Sequence, residues 1–462
     1  MKHTKTTMTV LLLLLAGLAQ AQQRYELTVR DAVELAYKNV IELKNAQIDY
    51  KIQEARNREI LGQAYPQLAG NAGANYYFKL PAILFPDATS TAVYSILKDE
   101  GVSGTSGPIT KVPDPVLRQV SFQQPWNLQV GATLQQLLFQ PDVFVGLQAR
   151  QAALDLSTSA IDVVKERIKD SAYKRYYAIL IAEKQLFYTD ESLQRLRQLY
   201  RDDSLSYVNG FVERLNLDRD QVQINNLLAT RNTIANAITI SYAALKLSLG
   251  LSQQDTVVLK EELTTESVKQ GLLDESFRYE DRAVIRQLEN VRKLQELDVK
   301  RYRLGNLPTV ALGANYTLNA QGQQFFTNPN TIWINSAYVG LNITVPIFDG
   351  FQRRYKVLQA ELNVQKAENN ITNVKQAIDF EQTINKGTLR NALADLDLQE
   401  RNLQLAEKVF NATKLKYQSG LGASFEVLQA DTELQRAQAN YFNALYNALI
   451  ARISYQNSLG KL

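Results

Sequence analysis

Residues 309–319 read TVALGANYTLN, in which every second side chain from Val310 to Leu318 is apolar. The same period of two occurs at 338–347 (YVGLNITVPI) and 128–135 (LQVGATLQ), and more weakly at 68–78. Successive side chains of a β-strand point to opposite faces, so each stretch is predicted to be a strand with one apolar face. The predicted strands span about residues 67–80, 126–139, 309–322 and 336–348.

Charged side chains are missing from these regions. Residues 308–348 and 119–141 contain none. Strands of about 10 residues with one apolar and one uncharged polar face are typical of membrane β-barrels. The alternative is an ordinary antiparallel sheet that helices cover on one side. Aromatic residues near the strand ends are candidates for the barrel's interfacial girdles: Tyr77, Phe122, Trp126, Phe325, Phe326 and Trp333.

The prolines divide the chain into strand-rich and helical regions. All 11 lie within residues 66–141 and 308–346. Proline inside a helix costs about 3 kcal/mol, so the proline-free regions can form long helices. Apolar residues recur there every seven positions, the spacing of helices packed at small crossing angles. Examples are Ile161 and Ile168; Val364, Ile371 and Ile378; and Leu389, Leu396, Leu403 and Phe410.

The chain also repeats itself, which indicates a duplicated unit. The matching segments are GANY at 73–76 and 313–316, Tyr207 and Gly210 with Tyr417 and Gly420, and SLG at 248–250 and 458–460. The predicted organisation is a signal peptide at 1–21, a first structural repeat at 22–250, an equatorial linker at 251–275 and a second repeat at 276–462. Helical segments are expected at about 27–64, 143–206, 211–250, 276–304, 350–416 and 421–460.

The first 21 residues have a basic start, an apolar core and an Ala19-Gln20-Ala21 cleavage site. An uncleaved membrane anchor is the alternative, but a spanning helix needs roughly 20 apolar residues. After this segment the chain has no His, Cys or Met. That composition excludes histidine bases, thiol nucleophiles and ordinary zinc or copper sites, so no catalytic residue, metal or cofactor is predicted. The formal net charge is +4. The sequence shows no clustered basic face of the kind that binds nucleic acid, so no nucleic-acid partner is predicted.

Four strands cannot close a barrel alone, because the smallest membrane barrels have eight. No apolar run of 18 residues follows the signal segment, so a bilayer would have to be crossed by a closed barrel. Open strand edges in lipid would leave backbone groups unpaired, at several kcal/mol each. At least two copies are therefore required, and this argument does not choose their number.

Several motifs resemble those of the TolC-type outer-membrane efflux proteins, in the same order along nearly the whole chain. They are Leu27-Thr28-x-x-Asp31-Ala32-Val33-x-x-Ala36, Pro66-Gln67-Leu68, Pro346-Ile347-Phe348-Asp349-Gly350, and Tyr417-x-x-Gly420 followed by Val427-Leu428. The family often has a second glycine where this chain has Phe351.

This resemblance implies an α+β membrane protein, a homotrimer with a 12-stranded β-barrel in outer-membrane lipid, to which each chain gives four strands. The barrel would continue into a long periplasmic α-helical barrel, in the envelope of a diderm bacterium. The implied function is the exit duct of a tripartite efflux or type I secretion system. Its partners would be a periplasmic adaptor (membrane fusion) protein and an inner-membrane transporter of RND or ABC type. Cargo would be drugs, small toxic molecules or polypeptides.

The resemblance also suggests a periplasmic gate and docking tips. In the family the mouth narrows at acidic side chains six and nine residues after the tip glycine, where this chain has Glu426 and Gln429. Three copies of Glu426 would favour cations; the alternative is a solvated glutamate. Tyr417 is a further gate candidate, with simple packing as its alternative. The candidate docking tips are Gly210-Phe211-Val212 and Gly420-Leu421-Gly422, for which the alternative is a helix cap with a buried apolar contact.

Two other classes of function remain as alternatives. A periplasmic coiled-coil adaptor would also have long helical hairpins, but not two uncharged strand pairs. A carboxylate-based hydrolase needs neither His nor Cys, but no paired acidic motif lies at a strand end. Asp202 and Asp203 are adjacent acids of the kind common on solvated helix ends, and no catalysis is assigned to them.

Overall fold

The computed structural model describes residues 23–261, 265–269, 276–324 and 332–462. The predicted signal peptide, part of the predicted linker, Phe325 and Phe326 lie outside these ranges. The helices are α1 (Val29–Asn39), α2 (Ile41–Gly62), α3 (Thr89–Asp99), α4 (Pro141–Val208), α5 (Arg214–Ser248), α6 (Thr265–Lys269), α7 (Ala283–Leu304), α8 (Gln352–Gln418) and α9 (Ser424–Ser458). The strands are β1 (Arg24–Leu27), β2 (Gln67–Tyr76), β3 (Ile83–Asp87), β4 (Ser103–Gly104), β5 (Gly107–Pro108), β6 (Val116–Val120), β7 (Trp126–Phe139), β8 (Thr256–Leu259), β9 (Thr309–Gly322) and β10 (Ile332–Thr344).

The fold has two compact units. The strand unit comprises Arg56–Gln148 and Asp298–Leu358. The helical unit comprises the described residues of Met1–Ala55, Ala149–Leu297 and Gln359–Leu462. Among the described residues, no helix combines the length and the apolar character that crossing a bilayer requires.

The strand unit contains an antiparallel sheet with strand order β10-β9-β7-β2. Val130 on β7 lies opposite Ala72 on β2 and Leu318 on β9. Ala314 on β9 lies opposite Val339 on β10. Directly opposed residues of neighbouring strands project from the same face. The register therefore brings the apolar positions of all four strands onto one face of the sheet.

Two of the four strands have ends that differ from the sequence prediction. The strand expected at about 67–80 ends at Tyr76, because its partner β7 starts after Pro125, which has no N–H for the ladder. The strand expected at about 336–348 runs instead over Ile332–Thr344. Its last residue, Thr344, lies opposite Thr309, which directly follows Pro308. On the β10 side, Pro346 comes two residues after Thr344. Proline again stops the ladder on both sides.

The connection between β2 and β7 contains a small structure of its own. Strands β3 and β6 pair antiparallel, with Ile83 opposite Val120. Helix α3 and the two-residue pair of β4 and β5 lie between them. Arg118 forms an ion pair with Asp87 across the β3–β6 pair, at 2.9 Å.

The helical unit is built on two long helices, α4 with 68 residues and α8 with 67. Each is followed by a turn and a helix of 35 residues, α5 and α9 respectively. Many residues of the seven-residue pattern are buried, which is why these faces pack. They are Ile168, Ile371, Ile378, Leu389, Leu396 and Phe410.

The first predicted helix, about 27–64, is two helices preceded by a strand. Val40 is extended between α1 and α2. Thr28 caps α1: its hydroxyl accepts from the Asp31 amide, and the Asp31 carboxylate accepts from the Thr28 amide. Such a capping box satisfies two amides that the first turn leaves unpaired. The family motif at 27–36 is thus a helix start whose apolar residues enter the core.

The predicted linker at 251–275 contains β8 and α6. Strand β8 pairs in parallel with β1, with Tyr25 opposite Val257. The helix expected at about 276–304 begins as a single 3₁₀ turn, Tyr279–Asp281, and continues as α7. Leu27 and Val257 join Tyr176 in a buried cluster, where the Tyr176 hydroxyl donates to the Leu27 carbonyl at 2.9 Å.

Candidate functional site

The apolar face of the sheet is exposed in the single chain. Leu68 on β2 and Val339 on β10 each retain 74% of their accessible surface. Monomeric soluble proteins rarely expose a contiguous apolar surface of this kind. The face therefore requires an apolar environment outside this chain.

The opposite face is polar but uncharged, and its side chains bond to one another. The Asn315 amide donates to the Thr133 hydroxyl at 3.0 Å, and the Thr317 hydroxyl donates to Asn315 at 2.5 Å. Gly131 lies beneath them, where a Cβ would be 2.7 Å from the Tyr316 carbonyl oxygen. A larger residue at 131 would push β7 and β9 apart at this point.

Of the predicted girdle aromatics, Trp126 and Trp333 lie on the apolar face at the same end of the sheet. Trp126 is opposite Tyr76, and their ring centroids are 4.8 Å apart. Trp333 on β10 lies opposite Ala320 on β9. Trp126 on β7 lies opposite Gly322, which is two residues farther along β9. Phe122 is exposed and Tyr77 is half-buried, both close in sequence to this end. Phe325 and Phe326 lie outside the described residues.

A second aromatic group lies at the other end of the sheet and was not predicted. Phe139 packs against Phe144 with centroids 5.4 Å apart, and Phe348 against Phe351 at 5.5 Å. Phe351 has φ +65°, a left-handed conformation that costs a non-glycine residue roughly 1–2 kcal/mol. The departure from the family's second glycine therefore puts an exposed ring at a strained position. Phe351 in place of that glycine was the one sequence feature that pointed to this second aromatic group.

The two helical tips have the same backbone form. Gly210 and Gly420 have φ of +77° and +76°, which favours glycine. Phe211 and Leu421, which follow them, are 84% and 77% exposed. The alternative of a buried apolar contact at these turns is therefore wrong for the single chain. Val212 and Gly422 are partly buried beside them.

The gate candidates Glu426 and Gln429 are exposed at the start of α9. Glu426 is paired with Lys416, from the last turn of α8, at 2.8 Å. Both side chains are about half exposed, so the pair is worth at most about 1 kcal/mol. The pair matters more for the local charge, because Lys416 offsets the negative charge of Glu426 in each chain.

Tyr417 connects the second tip to the first helical hairpin. Its hydroxyl donates to Asp203 of α4 at 2.8 Å. Asp203 is fully buried, so the expectation that Asp202 and Asp203 form a solvated acidic pair is wrong for Asp203. Packing of α5 and Tyr417 over this position buries it, and the local sequence carries no sign of that packing.

A second buried acid, Asp220 of α5, lies beside Asp203 and was missed by sequence reasoning. Asp220 is 2% exposed, and one carboxylate oxygen of each acid has no hydrogen-bond partner. Burial, then the charge of Asp203 and the hydrogen bond between the two side chains, raise the pKa of Asp220 to about 7. Burial, followed by the bond to Asp203, also raises the pKa of Tyr417. Two hydrogen-bonded carboxyl groups need one proton between them, and Asp220 carries it.

Comparison with known proteins identifies relatives by sequence. Residues 284–461 match the family model described as outer membrane efflux protein. The outer membrane protein TolC of Vibrio cholerae serotype O1 is 21% identical over 348 residues, which is 72% of this chain and 77% of the relative. TolC of Escherichia coli strain K12 is 22% identical over 357 residues, 69% of this chain and 71% of that protein.

Solved channel structures have the same fold. CusC superposes with a TM-score of 0.72 at 16% identity, covering 94% of this chain and 92% of CusC. The outer membrane protein VceC of Vibrio cholerae gives 0.66 at 16% identity, covering 94% and 96%. Residues 284–461 thus match the outer membrane efflux protein family, and the chain resembles TolC-type proteins in sequence and in fold.

These similarities support an outer-membrane efflux channel component rather than an enzyme. Over the ranges that the structure describes, no three His, Cys, Asp or Glu side chains are grouped to hold a metal ion.

Proposed function

We propose that three copies of this chain form an exit duct through the outer membrane. Each copy supplies the four strands β2, β7, β9 and β10 to a shared 12-stranded barrel, and its helices to a periplasmic tunnel. The duct receives small toxic molecules, drugs or polypeptides from a tripartite efflux or type I secretion system. A periplasmic adaptor docks at the tips and connects them to an inner-membrane transporter of RND or ABC type.

The observation that carries this proposal is the pair of open sheet edges. In the part of the chain that the structure describes, β2 and β10 each pair on one side only. Both strands are almost entirely exposed along their length. Edge-to-edge pairing between copies satisfies these backbone groups and leaves the apolar face toward lipid, as a closed barrel requires.

Features of the two halves support a two-fold internal repeat. Helices α5 and α9 have equal length, 35 residues. Each is entered after a glycine with φ near +76°. Each is followed by a second left-handed glycine, Gly250 with φ +65° and Gly460 with φ +70°. The repeat supplies both hairpins of each chain, so that a trimer presents six tips.

Membrane fractionation and channel recording test the duct directly. The protein should remain with outer membranes after a high-salt wash, purify in detergent with the mass of three chains, and conduct ions in planar bilayers. A salt-extracted protein, or a stable monomer that is soluble without detergent, would refute the proposal.

The Lys416–Glu426 pair predicts how the gate discriminates between ions. Glu426→Ala removes one carboxylate per chain and leaves Lys416 uncompensated, so the channel should become more selective for anions. The reversal potential across a salt gradient in planar bilayers measures this change. Glu433→Ala is the control, since it removes an exposed carboxylate from the same helix seven residues farther from the tip. Equal reversal potentials in wild type and Glu426→Ala would remove Glu426 from the gate.

Leu421 offers a test of the adaptor contact. Leu421→Asp puts a charge on an exposed apolar turn, which should abolish cross-linking to the adaptor and export in cells. Ser419→Asp introduces the same charge two residues earlier without removing an apolar side chain. If export and cross-linking survive Leu421→Asp, the tip is not an adaptor contact.

A further inference from the structure

The uncharged stretch at 308–348 is bordered by basic residues on both sides. Helix α7 ends with Arg301 and Arg303, and α8 begins with Arg353, Arg354 and Lys356. Asp298 and Asp349 each pair with one of these arginines, Arg301 at 3.3 Å and Arg353 at 3.4 Å. Residues 298–303 and 349–356, where β9 and β10 join their helices, together hold six basic and two acidic side chains.

A cavity of about 310 Å³ opens among these residues. Arg303, Arg353 and Arg354 line it together with Asn306 and Asp349. Arg353 is held in place, since its guanidinium donates to the Asn306 side-chain oxygen and pairs with Asp349. Guanidinium groups suit the phosphate group because their planar fork can donate two hydrogen bonds to one anion.

The remaining wall of the cavity is apolar and exposed. Ile347 and Phe348 keep 95% and 76% of their surface, and the strained Phe351 lies against Phe348. Ile347 continues the apolar alternation of Ile343 and Val345 beyond the end of β10. The cavity thus joins a basic wall to an extension of the apolar face of the sheet. A small anion would use only half of it.

We propose that this cavity binds the headgroup of an anionic phospholipid from the surrounding bilayer. Arg303 and Arg354 take the phosphate, and the acyl chains lie along Ile347 and Phe348. The inference rests on the proposed function, in that the apolar face of the sheet meets lipid. Basic residues at a membrane surface attract anionic lipid, and amphipathic contacts fix the lipid's depth.

Lipid retention by the purified, detergent-solubilised protein tests the site. Native mass spectrometry counts bound palmitoyl-oleoyl-phosphatidylglycerol in wild type and in the double variant Arg303→Gln with Arg354→Gln. Affinity should fall roughly fivefold for each arginine removed, and about 25-fold for the pair. A second series adds inorganic phosphate at the lipid concentration, which should leave lipid retention unchanged.

The control variant is Arg390→Gln with Arg401→Gln, which removes two exposed arginines from α8 outside the strand unit. It should retain lipid like wild type. Equal retention by all three proteins, equal losses in both double variants, or displacement by inorganic phosphate would each overturn the lipid site. Fractionation of the Arg303→Gln and Arg354→Gln protein with outer membranes, and its trimeric mass, judge the proposed duct separately.

Discussion

Val339→Arg should keep most of the protein out of the outer membrane, whereas Tyr338→Arg should leave it there. Val339 lies opposite Ala314 on the apolar face near the middle of β10, and Tyr338 lies opposite Asn315 on the polar face. A charged side chain on the lipid side of a barrel costs about 2–4 kcal/mol at the bilayer midplane. The proposed trimer would carry the substitution three times. On the lumen side the same guanidinium remains in water.

The adjacent positions make this a test of which face meets lipid. Outer-membrane fractionation after a high-salt wash gives the amount inserted, and the mass in detergent gives the number of chains. Tyr338→Arg controls for the added charge and for its position along the strand. If the two variants insert equally well, or if Tyr338→Arg alone is lost, the assignment of the two faces is wrong.

The sheet was the most predictable part of the molecule. Its residues alternate because one face is apolar, and a shift of one residue would move every apolar side chain to the other face. The period at 309–319 therefore predicted the strand and which of its residues share the apolar face, whereas the register with β10 is known only from the structure. Proline marked where pairing stops, although the ends at Tyr76 and Thr344 depended on Pro125 and Pro308 in the partner strands.

Contacts between distant segments were much harder to predict. Strands β1 and β8 pair across more than 200 residues, and four residues each are too short to show a period. Asp203 has a sequence context typical of a solvated helix end, yet Tyr417 and Asp220 enclose it from two other helices. The basic wall of the cavity around Arg353 is formed by residues from α7 and α8, which are separated in sequence by β9 and β10. In each case the decisive neighbour is set by tertiary packing.

Asp220→Asn should raise the apparent melting temperature by several degrees at pH 8 and change it little at pH 4. In the folded chain the pKa of Asp220 is raised to about 7, chiefly by burial and then by Asp203, from an ordinary value of 3.8. Asparagine supplies the same donor toward Asp203 without a proton to lose. The expected gain above pH 7 is on the order of 2–4 kcal/mol per chain.

The direction follows from where the proton is held. Between about pH 4 and pH 7 the folded chain keeps a proton on Asp220 that the unfolded chain has released. The stabilisation is therefore complete below about pH 4 and is lost as the pH rises to about 7. Thermal unfolding followed by circular dichroism at pH 4, 6 and 8 should show this decline in wild type and a shallower one in Asp220→Asn.

Asp218→Asn is the matched control, because Asp218 is exposed on the same helix two residues away. Its pH profile should follow that of wild type, because the exposed Asp218 side chain takes no part in the buried acidic pair. Parallel profiles for wild type and Asp220→Asn would mean that Asp220 is already ionised in the folded protein. The buried pair would then hold two negative charges beside the Tyr417 hydroxyl, an arrangement that its full burial makes far more costly than one shared proton.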